Sequence, residues 1–159
     1  MYIIRIKDNL KIKCVIELIT KSSIPKKKDG WRFNWSNAFS KQPNSIFGLI
    51  EQDSRRIHGL IQLIQDEGML IMELIELPSF NYGSSKEYGN VAGCLIAFGC
   101  RESLKLDNAY KGYLTFVSKT ELVGLYKTKY FATQTLGTRM YIDPISGEKL
   151  ITQYLNYEN

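Results

Sequence analysis

Residues Tyr88-Gly-Asn-Val-Ala-Gly93 stand between an apolar run, Met69-Leu-Ile-Met-Glu-Leu-Ile-Glu-Leu77, and a second apolar stretch beginning at Val91. A strand, a polar glycine-bearing loop and a helix start form an anion-binding arrangement. The first N–H groups of a helix have no intrahelical acceptor, and the helix dipole adds partial positive charge there. Small residues let the backbone itself approach the anion. The chemistry this predicts is the capture of a phosphorylated cofactor.

Other reactive residue types point to less. Cys14, Cys94 and Cys100 form neither an even disulfide framework nor a metal-ligand spacing, and read as buried thiols. With His58 as the sole histidine, a His-based metal site or a Ser-His triad is not expected. His58 itself reads as a half-exposed strand residue. Lys26-Lys-Lys28 with Arg32 and the aromatics Trp31, Phe33 and Trp35 could contact phosphates and stack on bases. The alternative for that segment, and the favoured one, is a solvated lysine loop followed by aromatics that cover the core.

The elements that must hold these residues follow from periodicity. Tyr2–Ile6 and Lys11–Ile19 look like a strand and a strand or strand-then-helix. Residues 20–45 are polar and punctuated by Pro25, Gly30 and Pro43, with a helical turn at Ser36–Phe39. Ser45–Gln52, Arg56–Gln65 and Met69–Leu77 are apolar segments joined by the turn signals Asp53-Ser54 and Asp66-Glu-Gly68, which makes an antiparallel meander. Near-continuous apolarity in the third predicts cover on both its faces. A helix with one apolar stripe follows from Val91 to Lys105. Gly112–Val117 is a strand, and Ser118 or Thr120 caps a helix containing Leu122–Tyr126. Phe131–Leu136 and Arg139–Ile142 read as strands, Pro144–Gly147 as a turn, and Glu148–Tyr157 as a helix or strand. The order is mixed α/β with an antiparallel front half.

With 159 residues, the chain has the length of one domain spanning 1–159. Its 44% apolar and 23% charged residues are ordinary for a soluble protein. No apolar run reaches the roughly 18–20 residues that span a bilayer, so no membrane association is expected. Nothing resembles a secretion signal, which predicts a cytoplasmic protein. Charge is uneven: residues 1–60 hold 12 basic and 5 acidic side chains, and residues 61–159 hold 9 and 11. A basic half suits an anionic cofactor or a nucleic acid, and equally suits solubility.

Two motifs resemble the GNAT superfamily of N-acetyltransferases, which take an acyl group from coenzyme A. The family's pyrophosphate loop reads Gln/Arg-x-x-Gly-x-Gly/Ala, followed by two aliphatic residues. Glu87-Tyr-Gly-Asn90-Val-Ala92-Gly-Cys-Leu95-Ile96 keeps that spacing. Glu87 replaces the Gln or Arg, and Asn90 replaces the first Gly. Asn best tolerates the left-handed backbone among non-glycine residues. A frame starting at Lys86 restores a cation and Gly89 but misplaces the aliphatic pair. The first frame is preferred, with Lys86 a nearby cation. The second motif is Leu125-Tyr126-x-x-x-Tyr130-Phe131, against the family's Leu-Tyr-x-x-x-Gly-Phe. Phe116-Val-Ser118 also matches in place, while Lys119 stands where the family often has Asn. The likeness covers residues 45–143.

The resemblance implies a GNAT-like fold with two main helices and a V-shaped splay between Met69–Leu77 and Gly112–Val117. It implies that acetyl-CoA, as cosubstrate, lies in that splay. Its pantetheine would pair near Leu77 and Ser79, and its pyrophosphate would rest on the N–H groups of Asn90, Val91, Ala92 and Gly93. Lys86, Tyr88, Gly89 and Ser118 complete the implied cofactor-binding set. Tyr126 is the implied proton donor to the departing thiolate. A base must deprotonate the amine; Glu73 and Glu76 have opposite strand parity, and Glu76, nearer the splay, is the expected one. The implied activity is N-acetyl transfer to an amine that the sequence does not identify, with residues 20–45, including Trp31 and Trp35, walling the acceptor. The alternative is a catalytically inactive GNAT-like module that holds acyl-CoA or a partner. Nucleic-acid binding is a third, less favoured reading, and Arg139–Tyr157 could pair across a homodimer.

Overall fold

The apolar alternation of the front half becomes an antiparallel series: β1 (Tyr2–Arg5), β2 (Leu10–Leu18), β3 (Ile46–Glu51), β4 (Ile57–Asp66) and β5 (Met69–Glu76). The structure, a computed structural model, describes residues 1–155. Short strands β6 (Tyr88–Gly89), β7 (Leu114–Val117), β8 (Thr133–Gln134) and β9 (Arg139–Ile142) complete the set. The nine described strands form one sheet in the order β6-β1-β2-β3-β4-β5-β7-β9-β8. Every adjacent pair is antiparallel except β5 and β7, which are parallel. That parallel pair requires a crossover, and α2 (Val91–Ser103) supplies it.

Each face of the sheet has its own core. On one, α2 packs Leu95, Ile96 and Phe98 among Leu49, Ile61, Leu63 and Met72. On the other, α1 (Trp35–Lys41) and the preceding segment bury Trp31 and Trp35 with Ile19, Ile46, Ile50 and Leu60. Leu60 and Ile61 on adjacent positions of β4 serve opposite cores, as strand parity requires. Burial of such side chains contributes roughly 1.5–3 kcal/mol each.

The helices depart from the expected pair. Besides α2 and α3 (Val123–Lys129), the chain forms α1 and α4 (Pro144–Tyr154). Pro144–Gly147 is therefore not a free turn but the first turn of α4. Asp143 caps it, accepting from Ser146 N at 2.8 Å, and Pro144 occupies a position that needs no N–H donor. The expected final element ended at Tyr157; residues 156 and 157 lie outside the described residues. Ser118 and Thr120 cap nothing: a 3-10 turn over Thr120–Leu122 leads into α3 without a side-chain cap. The strand expected over Phe131–Leu136 shrinks to Thr133–Gln134.

The single apolar stripe expected on α2 is also too narrow. Cys94 and Cys100 are both buried, because α4 covers the outer side of α2. A Cβ on Gly93 would meet the Tyr154 ring, and one on Gly147 would stand 3.2 Å from Cys100 Cβ. Small residues here let two helices approach closely.

Candidate functional site

On one side β5 is zipped to β4 from Asp66↔Met69 to Leu60↔Glu76. On the other it pairs with β7 only at Leu70↔Leu114 and Ile71↔Thr115. Beyond Ile71 the two parallel strands part. The register between β4 and β5 shifts at this level: Leu63 pairs with Met72 and Gln62 with Leu74, leaving Glu73 without a partner. A bulge of this kind bends its strand and increases its twist, which carries the end of β5 away from β7. A cavity of about 360 Å³ lies in the opening, lined in part by Ile75, Leu77, Ala92, Ile96, Tyr126 and Tyr130.

Tyr126 reaches this cavity from α3. Its ring packs 4.7 Å from Phe116 and 5.9 Å from Tyr130, centroid to centroid. Burial pushes its phenol above the ordinary value, so it holds its proton at neutral pH. The helix ends just beyond it, where Tyr126 O accepts from Tyr130 N at 3.2 Å and Ala132 N at 3.0 Å. Tyr130, standing where the family has glycine, has φ −115° and needs none; the left-handed residue is Phe131, at φ 57°.

Glu76 is differently placed. Its side chain is fully buried and points to the α1 side. Its carboxylate accepts from Arg32 N at 2.6 Å, Phe33 N at 3.2 Å and Trp35 Nε1 at 2.8 Å, with Arg32 Nε at 3.5 Å. Next to it, Ser79 N donates to Gly30 O at 3.1 Å, and Gly30 takes φ 94°, where a Cβ would crowd Ser79 Oγ. The end of β5 thus moors residues 30–35. Pantetheine is expected near Leu77 and Ser79; the Ser79 N–H is already engaged, and Leu77 remains in the cavity wall.

The parity expected of the two glutamates does not survive the bulge. Glu73 lines a second cavity, of about 590 Å³, together with its neighbour Leu74, Gln62 of β4 and residues of α1. Glu73 therefore faces the α1 side, from which the donors to the Glu76 carboxylate also come, while Glu76 contributes to the wall of the smaller cavity as well. Glu73 is exposed and forms no hydrogen bond or ion pair among the described residues. Arg32 lines both cavities, with its guanidinium 4.5 Å from the centroid of the Tyr82 ring.

The expected pyrophosphate loop divides into parts. Asn90 adopts the left-handed backbone, φ 70° and ψ 4°, and caps α2 without a side-chain bond. The first turn of α2 closes with Cys94 N donating to Asn90 O at 3.0 Å. The amides of Val91, Ala92 and Gly93 precede that bond and so have no acceptor within the helix. The Val91 side chain is buried, Ala92 lines the smaller cavity, and Gly93 faces Tyr154. Tyr88 and Gly89 are a strand rather than a loop, paired with Arg5 and Ile4. Lys86 and Tyr88 line a separate basic hollow with Arg5, Lys7 and Arg56. Ser118 is buried, its N–H on Thr138 O at 2.9 Å and its hydroxyl donating to Lys119 O at 2.7 Å.

His58 is fully buried, not half-exposed. Its Nε2 lies 3.1 Å from Glu51 Oε2, and its Nδ1 lies 3.0 Å from Asn81 Nδ2, which also bonds His58 O. The ring secures the loop after β5. Trp31 and Trp35 are core residues, which removes them from base stacking. Burial pushes the three thiols up to about 12, so they are poor nucleophiles. No group of three or more metal-ligating side chains occurs among the described residues, and no described helix is long and apolar enough to cross a membrane.

No protein-family model matches the chain, and no curated protein matches it. Among solved structures it is similar to one described as "Crystal structure of AtaTR bound with AcCoA". That likeness has a TM-score of 0.58 at 12% identity and covers 87% of this chain and 98% of the other. At that identity it establishes the architecture: a mixed α/β sheet with one parallel pair, the GNAT-like fold that the two motifs implied.

Proposed function

We propose that the chain binds acetyl-CoA in the opening between β5 and β7 and transfers the acetyl group to an amine. The observation that carries this reading is the abrupt end of the β5–β7 ladder at Ile71↔Thr115, with Ala92 of the first turn of α2 in the wall of the cavity that opens there. An unpaired strand edge offers N–H and C=O groups to an extended amide chain, as another strand would. The pantetheine arm is such a chain. Ile75 and Leu77 would flank it, and the amides of Val91 and Ala92 would meet the pyrophosphate. The structure similar to this one holds AcCoA, which supports the same reading.

Acetyl-CoA would supply a thioester, so that a C–N bond forms as the C–S bond breaks. The residues handle protons. An alkyl ammonium must first lose one, and Glu73, exposed on the bulge, is the carboxylate free to take it and release it to water. Tyr126 gives its proton to the departing sulfur and regains one from the nitrogen as the amide forms. Glu76 positions the wall: its carboxylate holds residues 32–35 and has no free face for the amine.

A melting-temperature series with acetyl-CoA tests the binding. At about 100-fold excess over Kd, a ligand of the native state adds roughly 2.7 kcal/mol. For a chain of this size that is roughly 5–10 °C. No shift removes the cofactor reading. A shift without free thiol release across amine acceptors leaves an acyl-CoA-binding module.

A further inference from the structure

The larger cavity contains opposite charges that do not meet. Glu73 enters it from the β5 bulge, and Lys41 enters it from the last turn of α1. Both are exposed, and neither takes part in an ion pair among the described residues. The same wall carries apolar Phe33, Ala38, Ile64 and Leu74 and the side-chain amides of Asn34, Asn37 and Gln42. Gln62, 3% exposed, donates its Nε2 to Ser45 Oγ at 3.0 Å, and its Oε1 accepts nothing among the described residues. The cavity thus offers Glu73 and Gln62 Oε1 as acceptors for N–H groups, Lys41 as a cation outside any ion pair among the described residues (Arg32, the other cation of the lining, is paired with Glu76), and hydrocarbon surface. Arg32, shared with the smaller cavity, makes the two neighbours.

We propose that this cavity takes an amine that also carries a carboxylate: an amino-acid zwitterion with an apolar side chain. This rests on the acetyltransferase reading. The ammonium meets Glu73 and Gln62 Oε1, the carboxylate meets Lys41, and the side chain lies on Phe33, Ile64 and Leu74. A plain amine leaves Lys41 without a counter-charge, and an acid without an amine does the same to Glu73. Hydrogen bonds between charged groups are stronger and more directional than neutral ones, so satisfying both ends selects the zwitterion. Glu73 sits where β5 begins to leave β7, which brings the amine to the level of the opening.

Matched pairs test this: leucine against isopentylamine, and phenylalanine against phenethylamine. Each is titrated into the full chain by ligand-observed NMR, with and without CoA, and offered as an acceptor with acetyl-CoA. The zwitterions are expected to bind about ten-fold more tightly than their decarboxylated partners. Lys41→Gln, on an exposed position, is expected to narrow that ratio about five-fold. Equal or better binding of the plain amines, a ratio that Lys41→Gln does not move, or no binding by either member of either pair overturns the proposal. If acetyl-CoA binds and the preference is missing, this inference alone fails. If the preference is present and acetyl-CoA does not bind, the cavity keeps its ligand and the transferase reading fails.

Discussion

Glu73 and Glu76 lie three residues apart on one strand, and their surroundings are opposite. Glu76 is fully buried and accepts from two backbone amides and an indole, whereas Glu73 is exposed and accepts nothing among the described residues. A buried carboxylate with several donors is structural, since its lone pairs are occupied and removing it orphans every donor. An exposed carboxylate over a cavity costs the fold little and stays available to a ligand. The bulge separates the two roles by turning Glu73 toward the cavity at the level where β5 leaves β7.

The largest effect should come from the buried partner. Glu76→Ala leaves Arg32 N, Phe33 N and Trp35 Nε1 unpaired, and should cost about 3–5 kcal/mol. Urea unfolding measures it, and a loss under about 1 kcal/mol would break the contrast. Tyr126→Phe comes next. Turnover should fall roughly 10²–10³-fold while acetyl-CoA affinity changes little, since the phenol acts on the leaving group. Unchanged turnover would take Tyr126 out of the chemistry. Glu73→Gln should lower turnover about 10²-fold and leave stability within about 0.5 kcal/mol. A large loss of stability there would erase the distinction between the two glutamates.

The smallest effect belongs to a third carboxylate, Glu51, which is partly exposed and paired with buried His58. Burial outweighs Glu51 and lowers the His58 pKa below its ordinary value. The unfolded chain therefore binds more protons than the folded one below about pH 6.5. This contribution to stability is full above that pH and is lost as pH falls through the folded value, by at most about 1.4 kcal/mol per pH unit. The exposed carboxylates with lowered pKa, Asp8 and Glu17, act only near and below about pH 4.5. Denaturation midpoints between about pH 5 and 6.5 isolate His58. His58→Gln should flatten the slope, and an unchanged slope would assign it elsewhere.

Much of the frame was legible in the sequence because it is periodic. The meander of β3, β4 and β5 and the crossover helix from Val91 follow from local signals, and the left-handed Asn90 from its place opposite the first glycine of the resembled loop. What was not legible depends on tertiary partners. A one-residue bulge has no signature in Met-Glu-Leu, so strict alternation placed Glu73 and Glu76 on opposite faces. Gly93 suggested an anion cradle, while its contact is the Tyr154 ring, more than sixty residues away. Glu76 gave no sign of its partners, since two of its donors are backbone amides in an irregular segment. Lys41 carries no signal of its own in the sequence, since an isolated lysine at a helix end is ordinary. Only the cavity beside it, with Glu73 on the far strand, makes it distinctive.

Amide hydrogen exchange with and without acetyl-CoA tests the central claim most directly. The account predicts that added acetyl-CoA slows exchange in residues 72–77 and at Val91 and Ala92, and leaves β2 and β3 unchanged. Uniform protection, protection confined to the basic hollow around Arg5 and Lys86, or none at all would contradict it.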